Sequence, residues 1–64
     1  MATREINIPG GKIPVTVHEE NGVHIIEIDG VKWAETANKT HAAVLFNMIA
    51  DHITEYVQYE RRDL

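Results

Sequence analysis

Val15-Thr16-Val17-His18-Glu19-Glu20-Asn21-Gly22-Val23-His24-Ile25-Ile26-Glu27-Ile28-Asp29-Gly30-Val31-Lys32-Trp33-Ala34-Glu35 is the stretch that decides the fold. Asn21-Gly22 and Asp29-Gly30 each sit between runs of β-branched and alternating residues. A type I′ turn needs φ > 0 at both central positions, and Asn-Gly and Asp-Gly meet that need best. The first turn pairs Glu20 with Val23, Glu19 with His24, His18 with Ile25, Val17 with Ile26 and Val15 with Ile28. The second pairs Ile28 with Val31, Ile26 with Trp33 and His24 with Glu35.

Side chains alternate between the faces of a strand. One face then carries Val15, Val17, Ile26, Ile28, Val31 and Trp33, and is the core face. The other carries Thr16, His18, Val23, Ile25, Glu27, Lys32 and Ala34.

Upstream, Glu5-Ile6-Asn7-Ile8 reads as a further strand, turning at Pro9-Gly10-Gly11-Lys12. Even residues of the second strand point their backbone groups at the third, so odd residues must bond the first. That parity excludes a Gly10-Gly11 loop and favours a four-residue loop, with Ile8 opposite Ile13 and Ile6 opposite Val15. Ile6, Ile8 and Ile13 join the core face. Pro14, lacking an N–H, faces Asp29, where the next turn has ended the ladder.

Downstream, residues 40–61 read as one helix uninterrupted by Gly or Pro. Thr40 or Asn38 is the expected N-cap, and Arg61 and Arg62 suit the negative end of the helix dipole. The expected fold is therefore α+β in a single domain. A four-stranded antiparallel meander in the order 1-2-3-4 (residues 4–8, 13–20, 23–28 and 31–36) carries a long C-terminal helix on one face.

That helix has more apolar surface than one sheet face needs. Leu45, Tyr56, Ile49, Ala42, Ile53, Phe46 and Val57 form a stripe of ordinary width. Val44, Met48, His52 and Tyr59 widen it on one side, and Ala43 and Ala50 on the other. The apolar arc reaches about 220°, against the ~100° or slightly more that a surface helix usually buries. Val44, Met48, His52, Tyr56 and Tyr59 are therefore the expected protein interface.

Length and composition point the same way. The chain has 64 residues, and such a domain buries only about 60% of the surface of its unfolded form. It has no cysteine for a disulfide or a thiolate–zinc staple, so self-association is the natural route to more buried area. Ten acids against six bases give a net charge of −4, which argues against nucleic-acid or membrane-surface binding. The N-terminal Met1-Ala2-Thr3-Arg4-Glu5 lacks the apolar run of a signal peptide, and a cytoplasmic location is expected.

Chemistry is poorly represented. There is no Gly-x-Ser-x-Gly, phosphate loop, His-Glu-x-x-His or cysteine nucleophile, and no cofactor is implied. The derived register does set Glu19, His24 and Glu35 in a row on the core face, with His41 near them in the first helical turn. The simplest reading is a polar edge to the core. A metal site built from these four is the alternative, since His and Glu are acceptable zinc ligands. The expectation is thus a non-enzymatic protein-interaction module, a homodimer, acting as a regulator or inhibitor of a larger protein. A phage or mobile-element product fits that profile. A dimeric transcriptional regulator is a further alternative.

Overall fold

A computed structural model of the chain describes the backbone of residues 2–62 and the side chains of residues 2–57. Strands β1 (Ala2–Ile8), β2 (Gly11–Glu20), β3 (Val23–Ile28) and β4 (Val31–Thr36) form one antiparallel sheet in the order β1-β2-β3-β4. Helix α1 (Lys39–Arg62) packs on one face of it, giving the expected α+β meander. No helix among the described residues is long and apolar enough to cross a membrane.

The β2–β3 hairpin has the register that its turn demands, from Glu20 opposite Val23 to Val15 opposite Ile28. Asn21 and Gly22 have φ of 53° and 80°, and Asp29 and Gly30 have 52° and 83°. Both turns are therefore of the type I′ form that matches strand twist. The Pro14 carbonyl accepts the Asp29 N–H at 2.8 Å, so the proline's missing donor faces the turn and breaks no ladder bond.

The β1–β2 connection differs from expectation. Ile6 lies opposite Ile13, Ile8 opposite Gly11 and Arg4 opposite Val15, two residues away from the expected pairing. The loop is the dipeptide Pro9-Gly10, not the four residues 9–12. Proline presets φ at the first turn position, and Gly10 takes φ of 89° at the second, as in a type II turn. This shorter loop satisfies the same hydrogen-bond parity and lengthens the ladder. A two-residue offset leaves each side chain on its expected face. Ile6 is buried, and Ile13 packs against the core.

β3 and β4 begin as expected, with Ile28 opposite Val31 and Glu27 opposite Lys32. The ladder then slips. Ile26 meets Ala34, Ile25 meets Glu35 and His24 meets Thr36. Trp33 is thus the extra residue of a β-bulge and has no partner across the ladder. Expected in the core opposite Ile26, it is instead largely exposed. Ala34, expected on the outer face, packs against the core. Val31 keeps its expected face but lies exposed at the sheet corner.

Helix α1 starts at an asparagine cap. The Asn38 Oδ1 accepts the His41 N–H at 2.9 Å, and the Asn38 N–H donates to Thr36 Oγ1 at 3.1 Å. Of the two expected caps, Asn38 is the one used. Arg61 and Arg62, expected to favour the last turn, lie outside the described side chains. Among the described residues the buried apolar core is Ile6, Val15, Ile26, Ala42, Phe46 and Ala50. The buried helical stripe is rotated toward Ala50, which is fully buried, and away from Tyr56, which is exposed. At about 1.5 Å per residue α1 runs to roughly 36 Å, nearly twice a six-residue strand. It outruns the sheet, and the molecule is 44 Å long but only 18 × 15 Å across.

Candidate interaction surface

The rotation of α1 that buries Ala50 turns the opposite flank of its apolar arc outward. Val44, Met48 and Tyr56 are exposed by 50%, 62% and 60%, and His52 is exposed as well. These four recur every fourth residue, so they form one row along the helix. Tyr59, the fifth expected member, lies outside the described side chains.

Strand β4 borders this row. Trp33 is 67% exposed and, with Met48, Ile49 and His52, lines an open groove of about 720 Å³. Ile13, Ile28, Leu45 and Ile53 make up its apolar floor, and Asp51 and Glu55 complete the lining. Sequence reasoning missed Trp33 as part of this surface because strict alternation sends it into the core. The signal was the polarity of its neighbours. A slip after Lys32 turns Ala34 inward and Glu35 outward, which is the cheaper arrangement.

The polar side of α1 is tied to β1, through an acid, Asp51, that also reaches the rim of the groove. Arg4 Nη2 lies 3.0 Å from Asp51 Oδ1, and Arg4 Nη1 donates to Asn47 Oδ1 at 3.4 Å. The helix therefore has one anchored edge, toward β1, and one apolar edge toward β4.

The expected carboxylate–imidazole row is not assembled. Glu19 does lie opposite His24, and both line a shallow pocket beside Lys39, Ala42 and Ala43. Glu35, however, is carried by the bulge to the outer face, opposite Ile25, with an oxygen 3.4 Å from Lys32 Nζ. Thr36 takes its place opposite His24. His41 contributes its backbone N–H to the helix cap. Among the described residues no three His, Asp or Glu side chains are grouped so as to hold a metal ion. On the outer face His18 Nδ1 lies 3.3 Å from Glu27 Oε1, and its Nε2 lies 3.9 Å from Glu20 Oε1. That cluster is a set of cross-strand neighbours on an open sheet face.

No family model matches the chain, and no curated protein or solved structure matches it significantly. Functional argument therefore rests on the surface itself.

Proposed function

We propose that the protein is a non-enzymatic protein-interaction module that works as a homodimer through the α1–β4 face. One observation carries this reading: Trp33 of β4 and Met48 of α1 are largely exposed beside one groove with an apolar floor, and Val31, Val44 and Tyr56 are exposed elsewhere on the same two elements. Those five side chains present on the order of 500–600 Å², given ~150–250 Å² for a large aromatic. Summed over separate positions, that area is comparable with the largest patch on an ordinary monomer, ~300–600 Å². It approaches the ~800 Å² per partner of a standard protein interface.

The thinness of the core supports self-pairing. Val15 and Ile26 are the largest fully buried side chains among the described residues, and a domain of this size gains most from burying a further apolar face. The test is the mass in solution of the wild type beside Met48→Asp. The wild type should have twice the chain mass and the variant the chain mass, with helix content unchanged. A wild type that stays monomeric at millimolar concentration contradicts the reading.

A further inference from the structure

Beyond self-pairing, we infer that the α1–β4 groove is a docking site for a cationic amphipathic helix of a different protein. The apolar stripe of that helix lies on Trp33 and Met48, and its Lys or Arg side chains meet Asp51 and Glu55. Charge supplies the first argument. Above an apolar floor, the exposed charged lining of the groove is Asp51 and Glu55, one helical turn apart, with no Lys or Arg among the lining residues. Arg4 engages one oxygen of Asp51 at 3.0 Å. A carboxylate offers about four acceptor sites, so Asp51 can take a second cation, and Glu55 adds a further carboxylate along the same rim. The chain as a whole carries a net charge of −4, which draws cations in and repels another acidic surface. Self-pairing brings both carboxylates of each copy to one contact. A cationic helix exchanges that repulsion for attraction, and so displaces the second copy.

The form of the partner follows from β4. This is an edge strand of six residues, and the bulge at Trp33 interrupts its ladder midway. A strand added to such an edge finds no regular run of backbone partners. What the bulge offers instead is a side chain. Trp33 stands beside Met48 over the floor of Ile28, Leu45 and Ile49. A helix lays apolar side chains at i, i+3, i+4 and i+7 into a groove of this kind, and methionine adapts to the shape of what it meets.

Trp33 is the only tryptophan of the chain and is largely exposed, so its emission reports on the groove. The probe is a Leu/Lys peptide of about 18 residues with leucine at that spacing, long enough to hold a helix. Titrated into the wild type, it should shift the emission to the blue and saturate at one peptide per chain, with micromolar half-saturation. The mass should then be that of one chain plus one peptide. Met48→Lys, at an exposed position, should keep its helix content and weaken binding by about tenfold or more. Glu55→Gln should weaken it by about threefold, the weight of one exposed ion pair. A Leu/Glu peptide of the same pattern, and a Leu/Lys peptide of the same composition in scrambled order, should give no saturable shift. Equal binding by either control, unchanged affinity in Met48→Lys, or no saturable shift at millimolar peptide overturns the inference. Val44 does not line the groove, so Val44→Asp should lose the dimer and keep the peptide. A wild type that binds the peptide and never dimerises removes self-pairing and leaves this docking site. A dimer whose mass persists at saturating peptide does the reverse.

Discussion

Gly30 and Gly22 show how single residues set the sheet. Both have φ near 80°, and a Cβ built on either meets no atom within 4 Å. The requirement is thus one of backbone conformation and not of space. Gly30→Ala should lower stability by ~1–2 kcal/mol, the penalty for a left-handed L-residue, measured by urea denaturation at fixed protein concentration. An unchanged midpoint would mean that the turn does not need its positive φ. At the helix start, Asn38→Ala should cost about 1 kcal/mol, and Asn38→Ser should recover most of it. Both turns were legible from residue type, and the cap was narrowed to Asn38 or Thr40, because each depends on the conformational habits of one or two residues. Pro9-Gly10 was less so. Hydrogen-bond parity excluded a Gly10-Gly11 loop and pointed to a four-residue loop over 9–12, but it is satisfied equally by the shorter Pro9-Gly10 loop, which the expected pairing left out.

Strand β4 and helix α1 carry the contrast between what alternation dictates and what packing prefers. Strict alternation sends Trp33 and Glu35 inward and Ala34 outward. One slipped residue exchanges the faces of Ala34 and Glu35 and leaves Trp33 exposed at the helix-side groove, sparing the core a buried carboxylate and filling the space under α1 with a methyl group. The consequence is measurable. In the monomeric Met48→Asp background, Trp33→Ala should change stability by less than ~1 kcal/mol, whereas a tryptophan packed in the core would cost ~3–5 kcal/mol. The helix illustrates the same limit. Its excess apolar arc was visible as a pattern, and Val44, Met48 and His52 do lie on the outer side. Tyr56, expected both in the core-facing stripe and at the interface, lies exposed, and the rotation that buries Ala50 was not visible. It depends on the shape of the sheet beneath, and a small residue lets the helix sit close. Ala50→Leu should therefore destabilise the fold by ~1–3 kcal/mol through overpacking. A neutral result would show that the helix can lift off without loss.

At the scale of the whole molecule, a thin sheet, a long helix and a core of six buried residues among those described leave little margin. A chain of 64 residues has stability on the order of 3–10 kcal/mol. Ile26→Ala, at one of the two largest fully buried positions, should remove ~2–5 kcal/mol of it. The expected metal row shows why long-range constellations are the least legible part of a sequence. Glu19 and His24 are paired by one well-specified turn, but Glu35 depends on every register step between Asp29 and Thr36, and one bulge sends it to the other face.

The central claim is that a second copy completes what this core lacks, and its most direct test is the dependence of the melting temperature on protein concentration. Folding coupled to dimerisation gains ~1.4 kcal/mol per dimer for each tenfold rise in concentration. The melting temperature of the wild type should therefore climb by several degrees per tenfold, and that of Met48→Asp should not move. A wild-type melting temperature that stays constant across a thousandfold range of concentration would contradict the account.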